Sequence, residues 1–357
     1  MNSIVVGQED YVKRLETYFS VVYPKNKFKF ISFSLDTDKT DATIFDMENI
    51  RNLLQKEDVN EKIYVAFSAK LHSVIKEIIL SLGFSKIVFY DAYLDNQLKK
   101  QFFQYIFKEK KIIFELLEEL KDVHEVNKNI SIDVYMAKCV VDKVIKGYPV
   151  ELSRYIIPIQ VGSALTENRI SEITDDTGDN ISLRNRRYSE MTAFYWMWKN
   201  AKADYLGLCH YRRLWVNLDG IVDKLRTTDV DAVLPLPTLC EHSVYEDYLL
   251  KHIPDVWRPM MDVLKEQSPE YYEASREIFQ GRIFYASNMC ILKREVLDDL
   301  CSWMFPIVME VERRVGDLPD TYYNRYAGFC TERLITLYFL YNKNNWKIAH
   351  AEKVFIG

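Results

Sequence analysis

The sequence has little of four things that would each point to a known chemistry. Glycine is scarce, at 11 of 357 residues. "IVVGQEDYV" near the start carries one glycine where a dinucleotide-binding turn needs G-x-G-x-x-G, so a nicotinamide or flavin cofactor is not expected. The six cysteines, at 139, 209, 240, 290, 301 and 330, are scattered and include no Cys-x-x-Cys. That spacing argues against a zinc ribbon or a disulfide framework and fits a reducing, cytoplasmic setting. No run approaches the ~18 apolar residues of a membrane span, and "MNSIVVGQEDYVKRL" lacks a basic start followed by an apolar stretch, so neither an anchor nor a leader is expected. A basic excess is missing too. The formal net charge of -5 leaves no surplus to neutralise a phosphate backbone, and no nucleic-acid partner is expected.

What is present is core-forming material: 48% of residues are hydrophobic and 28% charged, over a length that favours two domains. Aromatic residues reach 14%, a level that suits carbohydrate sites but is explained more often by cores. In the amino-terminal third, the strand-like runs "SIVVG", "KFKFISFSL", "KIYVAFS" and "KIVFYD" alternate with "QEDYVKRLETYFSVV", "IFDMENIRNLLQK" and "KLHSVIKEIILSLGF", whose apolar residues recur at helical spacing. This alternation predicts a parallel sheet with flanking helices, a Rossmann-like α/β accessory domain over residues 1–125. Without the glycine fingerprint, its expected role is structural or partner-binding. A charged, amphipathic helical segment follows, which can touch a membrane surface but more often packs on its own domain. The polar stretch Lys121–Asn129 marks the expected boundary.

A second α/β domain, residues 126–357, opens with "ISIDVYMA". Strands are expected at "YIIPIQVG", "DYLGLCH", "DAVLPLP", "RIFYASNMCILK" and "WKIAHAEKVF". Helices are expected at "YSEMTAFYWMWKNA", "VLDDLCSWMFPIVMEVERRV" and "TERLITLYFLYNK". Asp175, Asp176, Gly178 and Asp179 form an acidic, turn-rich loop followed by Asn180, Arg184 and Asn185. After the next helix and strand, His210, Tyr211, Arg212 and Arg213 emerge at the strand's carboxyl end, where open α/β sheets bind ligands. Such a cluster suits an anion; the alternative is that Arg212 or Arg213 pairs with a carboxylate of its own chain.

Five segments in order, "IPIQVGSAL", "DDTGDNIS", "GLCHYRR", "NMCILK" and "GFCTERL", resemble the domain of bacterial capsular and exopolysaccharide glycosyltransferases, including galactofuranosyltransferases. The resemblance covers about residues 130–357 and implies a GT-A-like, nucleotide-sugar-binding fold. The family usually opens with a strand ending in His-Lys, where this chain has Ala137 and Lys138. The family's fold places a metal-binding Asp-x-Asp after an "A-D-Y-hydrophobic" strand; here "ADYLGLCHYRR" puts His-Tyr-Arg in that place. The resemblance thus implies a leaving diphosphate stabilised by His210, Arg212 and Arg213, with no divalent metal required. Literal matches at 229–231 ("DVD") and 36–38 ("DTD") are read as chance, and a metal in the acidic loop stays an alternative.

The same resemblance implies an acceptor-activating carboxylate at a helix start. Thr331 resembles an N-cap with Glu332 in the first turn, which makes Glu332 the expected base over Asp179 or Glu190. A merely structural Glu332 would favour the helix dipole or pair with Arg325 or Arg333. Substrate contacts are expected from Asp175, Asp176, Gly178, Asp179, Asn180, Asn185, Tyr211, Asn288, Arg325 and Arg333, with Asn288 on the acceptor side. The implied reaction is inverting transfer of a sugar, galactofuranose among the candidates, from a UDP-linked donor to a growing, lipid-linked cell-surface polysaccharide. A cytoplasmic enzyme at the inner membrane face, with a partner protein on its amino-terminal domain, would fit. Two alternatives are a non-catalytic nucleotide- or glycan-binding assembly factor, and a phosphatase or nucleotidyltransferase using the acidic loop.

Overall fold

The alternating segments at the amino end build the parallel sheet that their pattern predicts. The computed structural model describes residues 2–33, 44–123, 125–127, 129–143 and 152–356, so the 36–38 triplet lies outside the described residues. The chain divides into two units, 1–110 and 111–357. In the first, β1 (Asn2–Gln8), α1 (Glu9–Val22), β2 (Lys27–Phe33) and α2 (Ile44–Leu54) are followed by β3 (Lys62–Ala66), α3 (His72–Ser81), β4 (Ile87–Phe89) and α4 (Ala92–Glu109). All strand pairs are parallel, in the order β2-β1-β3-β4. That order differs from the 3-2-1 of a dinucleotide-binding half, so the Rossmann-like expectation reduces to a parallel, doubly wound α/β unit. At the point where the order reverses, Gln8 Oε1 accepts the Ser68 N–H at 2.8 Å and bridges the two strand ends. Gly7 is needed beside it, because a Cβ there would lie 2.1 Å from the Ala66 carbonyl oxygen.

The second unit starts earlier than the expected 126. Its first strand, β5 (Glu115–Leu116), already pairs with a strand close to the carboxyl end. Then come β6 (Ile132–Lys138), β7 (Ile156–Gln160), β8 (Ile173–Thr174), α5 (Asn185–Tyr188), α6 (Met191–Asn200), β9 (Tyr205–His210) and β10 (Arg213–Trp215). Next are α7 (Leu218–Thr227), β11 (Ala232–Pro235), β12 (Thr238–Leu239), α8 (Val244–Lys251), α9 (Pro254–Gln267) and α10 (Pro269–Ile278). The chain ends with β13 (Ile283–Phe284), β14 (Cys290–Lys293), α11 (Arg294–Val315), α12 (Tyr326–Tyr341), β15 (Ile348–Ala351) and β16 (Lys353–Phe355).

The main sheet runs β5-β15-β11-β14-β9-β6-β7-β8; off that path β10 pairs with the interior strand β9, at Arg213 opposite His210, and β16 pairs with β10. β14 runs antiparallel between β9 and β11, while β6, β7, β8 and β9 are parallel. The two faces are covered by different helices. Met191, Phe194 and Met197 of α6, with α11 and α12, bury one face; Ile221, Val222 and Leu225 of α7 bury the other. A strand covered on both sides reads as a continuous apolar run, as "YLGLC" does. Leu206, Leu208 and Cys209 are fully buried. Each leucine contributes about 1.5–3 kcal/mol to holding β9 in place. Among the described residues, no helix is long and apolar enough to cross a membrane.

Candidate functional site

The sheet order reverses between β6 and β9. β6 hands the chain to β7 on one side, while β9 feeds elements on the other, so the crevice outside their carboxyl ends is the topological switch point. Ala137 lies opposite His210 in the parallel register, which puts His210, the last residue of β9, at that crevice. β14 pairs antiparallel with β9, Cys290 opposite Leu208, so the residues just before β14 arrive at the same end. Those residues are Ser287 and Asn288, both left-handed, with φ of 85° and 49°. Non-glycine residues in that region cost free energy and cluster where a site requires them.

Two glutamates hold this pair. The Ser287 N–H donates to Glu332 Oε1 at 2.6 Å. Asn288 Nδ2 donates to Glu190 Oε1 at 2.8 Å and to the Gly328 carbonyl at 3.1 Å. Two acceptors on Nδ2 fix the amide orientation, which leaves Asn288 Oδ1 buried without a partner among the described residues. His210 Nε2 is buried and likewise has no hydrogen-bond partner among the described residues, lying 4.0 Å from Glu190 Oε1. Lys353 of β16 supports the turn from behind, its Nζ donating to the Ala286 carbonyl at 2.8 Å and to Ser287 Oγ at 3.1 Å.

The local charges follow from burial. Glu332 is pushed above the ordinary carboxylate range, chiefly by burial; the Arg333 guanidinium opposes this and nearby Glu190 adds to it. Arg333 itself is 1% exposed and is shared between Glu332 Oε2 and Asp247 Oδ2, each at 3.0 Å, with the Phe284 ring 4.4 Å from its guanidinium. Burial drives His210 down to about 4, so it is neutral near pH 7. His210 therefore leaves the set of fixed cations that the sequence assigned to a leaving diphosphate.

A family profile described as a domain of unknown function, DUF4422, matches residues 140–344, more than half of the chain, and spans Glu190, His210, Asn288 and Glu332. The chain belongs to the DUF4422 family. No curated protein matches it. Among solved structures it is similar to the apo structure of the WbbM bifunctional glycosyltransferase, with a TM-score of 0.55 and 24% identity. That alignment covers 64% of this chain and 45% of the other, so the likeness reaches less than half of WbbM's length. At that identity it is a likeness of fold alone: an α/β architecture shared with part of that glycosyltransferase.

Within the DUF4422 segment, the other expected residues separate into groups. Asp175 is fully buried and accepts four hydrogen bonds: from Gly162 N (2.8 Å), Ser163 N (3.0 Å), Ser182 Oγ (2.5 Å) and Thr192 Oγ1 (2.5 Å). Its carboxylate organises the loop, both oxygens accepting from groups of its own chain. Asn185 is structural too, donating to the Ser189 carbonyl and Thr192 Oγ1. Gly178, at φ 57°, lets the loop pass Asn200, whose Oδ1 would sit 2.0 Å from an added Cβ. Asp176 pairs with Arg169, Asp179 accepts from the Tyr195 hydroxyl, and Asn180 closes the turn by donating to the Gly178 carbonyl. Arg184 is bound to Glu312, and "DVD" 229–231 lies at the amino end of β11, away from the crevice.

Arg212 and Arg213 remain half-buried beside the crevice, their guanidinium carbons 4.6 and 5.5 Å from the centre of the Phe355 ring. Neither forms an ion pair among the described residues; Arg212 Nε donates to the Ile356 carbonyl at 3.5 Å. Burial raises the Asp142 carboxyl, and Tyr211 is among the neighbours that oppose the rise. Arg325 donates from Nε to Ser189 Oγ at 2.8 Å.

One helix boundary is corrected. α12 begins at Tyr326 with Arg325 at its N-cap, and Thr331 sits inside it, its Oγ1 donating back to the Gly328 carbonyl. Glu332 is therefore in the second turn, beyond the reach of the helix terminus. A Cβ at Gly328 would only reach ordinary van der Waals contact with the Tyr188 carbonyl oxygen, 3.4 Å away. Lys353 and the Arg333–Asp247 pair had no sequence signal, since each depends on contacts distant in the chain.

Proposed function

We propose that the chain is a nucleotide-sugar-dependent glycosyltransferase. The observation that carries the reading is the meeting of two carboxylates, Glu190 and Glu332, with two unpartnered buried polar atoms at the switch crevice of a glycosyltransferase-like sheet. Sugar transfer needs a group to accept the proton of the attacking hydroxyl and positive charge to receive the departing diphosphate. The carboxylate pair supplies the first. Arg212 and Arg213, free of ion-pair partners among the described residues, supply the second with a charge that does not titrate and a fork that fits phosphate oxygens. His210, neutral near pH 7, acts through its hydrogen-bonding capacity only.

In this reading the donor is UDP-linked and transfer is an inverting, direct displacement that does not require a divalent metal. A galactofuranosyl donor and a lipid-linked cell-surface glycan are the donor and acceptor classes that the sequence resemblance favours. The test measures UDP release from a panel of UDP-sugars, with and without chelator. Arg212→Ala is expected to lower turnover about 10²–10³-fold, the usual loss for one transition-state donor. Chelator is expected to leave the rate unchanged. Full activity in R212A removes that arginine from the mechanism, and complete loss with chelator, restored by manganese, removes the metal-free reading.

A further inference from the structure

Both glutamates at the crevice are placed to act on a substrate, but their oxygens are committed differently. On Glu332, Oε1 takes the Ser287 N–H at 2.6 Å and Oε2 takes Arg333 Nη1 at 3.0 Å. Arg333 is locked in turn by Asp247. Glu190 uses only Oε1, which receives Asn288 Nδ2; Oε2 has no hydrogen bond among the described residues. Glu190 also stands at the N-cap of α6 without making a capping bond, so its carboxylate turns toward His210 and Asn288 and not onto its own helix. Two more unpaired polar atoms, His210 Nε2 and Asn288 Oδ1, belong to the side chains that bracket Glu190 Oε1. Buried polar groups without partners are rare enough in folded proteins to call for an explanation. A sugar can satisfy them with two hydroxyls: the oxygen of one accepts from the imidazole while its single proton is donated to Glu190, and the proton of a neighbouring hydroxyl is donated to Asn288 Oδ1.

We infer that Glu190, His210 and Asn288 form the seat of the attacking acceptor hydroxyl, with Glu190 as the catalytic base and Glu332 as a positioning residue. The inference rests on the transferase reading above. The acceptor oxygen bonds to the anomeric carbon while the bond from that carbon to the diphosphate oxygen breaks. The bonding electron pair leaves with the nucleoside diphosphate, and the hydroxyl proton passes to Glu190 Oε2. Glu332 holds the left-handed Ser287–Asn288 turn through the Ser287 N–H, and thereby aims the Asn288 amide at the base. The titratable and charged groups around the base are His210 of β9, Glu332 and Arg333 of α12, Arg213 of β10 and Lys353 of β16.

The experiment compares pH–rate profiles of the full-length wild type, Glu190→Gln, Glu190→Asp and Glu332→Gln. It uses UDP-sugars with a soluble glycan acceptor, and UDP binding is followed by calorimetry. Glu190→Gln is expected to lose about 10²–10⁴-fold in kcat and to lose the acid limb of kcat/KM, with UDP affinity unchanged. Glu190→Asp recovers part of the rate and keeps the limb. Glu332→Gln loses less in kcat, raises the acceptor KM and keeps the limb. If the limb survives in E190Q and vanishes in E332Q, the base is Glu332 and the assignment is overturned. If E190Q matches wild type, the seat itself is overturned. A wild type that releases no UDP from any donor, with or without acceptor, overturns the transferase reading and the base with it.

Discussion

Two sets of carboxylates in the second unit behave in opposite ways. Asp175 in the acidic loop is surrounded by four donors and fully buried. Asp176 and Asp179 are tied to Arg169 and Tyr195. The glutamates at the crevice are far apart in sequence, meet across Ser287 and Asn288, and leave Glu190 Oε2, His210 Nε2 and Asn288 Oδ1 without protein partners among the described residues. A dense acidic run stands out in a sequence because turns need aspartate and asparagine to satisfy backbone N–H groups. That same need uses up its lone pairs. Unspent hydrogen-bonding capacity therefore separates a candidate site from a scaffold better than local charge density does.

The largest expected effect tests the scaffold side. Asp175→Ala strips partners from two backbone N–H groups and two hydroxyls in a fully buried place. At about 1–3 kcal/mol per stranded group, with partial relaxation, the loss is on the order of 4 kcal/mol. Urea unfolding is expected to show it as a lower midpoint, with UDP affinity per folded molecule unchanged. A stable D175A protein with weakened nucleotide binding would reverse the comparison and make the loop a ligand site.

The next effect comes from two buried histidines that differ in the same respect. Burial lowers both His210 and His350 to about 4 from an ordinary 6.5. His350 has both nitrogens engaged, Nε2 with the Tyr285 hydroxyl at 2.9 Å and Nδ1 with the Glu115 carbonyl at 3.2 Å. His210 Nε2 has no hydrogen-bond partner among the described residues. Between pH 6.5 and about 4 the unfolded chain binds a proton that folded His210 refuses. Stability is fully present above 6.5 and falls as pH drops through that window, by up to about 3 kcal/mol for this group. Glu332, raised in the folded state, works the other way: its contribution is present below the ordinary carboxylate value and is lost as pH rises. Unfolding free energy of His210→Gln, measured across pH 4–7, is expected to depend less steeply on pH than wild type. An unchanged slope would mean that His210 is already solvated, and would weaken its place in the seat.

How much of this was legible depended on whether a feature was local. The parallel sheet of the first unit was readable from alternating apolar periods, because each element carries its own pattern. β9 and its terminal His210 were readable as well, since a strand buried on both faces writes a continuous apolar run. "RIFYASNMCILK" reads as one strand by propensity. The structure breaks it into β13 and β14 around the left-handed Ser287 and Asn288, a conformation that no local preference supplies and that Glu332 and Glu190 hold from other elements. The start of α12 was misplaced because Thr331 resembles an N-cap; in the structure it lies inside the helix and its hydroxyl donates back to the Gly328 carbonyl. Glu190 was visible as a candidate base, but nothing in the sequence ranked it above Glu332, because the ranking lies in which oxygens have partners.

The smallest expected effect sharpens the comparison from the surface. Asp176 pairs with Arg169 at 3.1 Å, the side chains being 21% and 47% exposed. In that setting an ion pair gains little over its hydrated parts and is screened by salt, so Asp176→Asn is expected to change stability by less than about 1 kcal/mol, and by less still in high salt. Its effect on UDP-sugar affinity is expected to be nil, because the carboxylate answers to Arg169 and not to the crevice. The measurement pairs thermal unfolding at low and high salt with a nucleotide-sugar titration. A D176N protein of normal stability that loses donor affinity would show that a loop carboxylate can be both paired and functional. Hydrogen-bond satisfaction would then no longer be the property that divides the two sets.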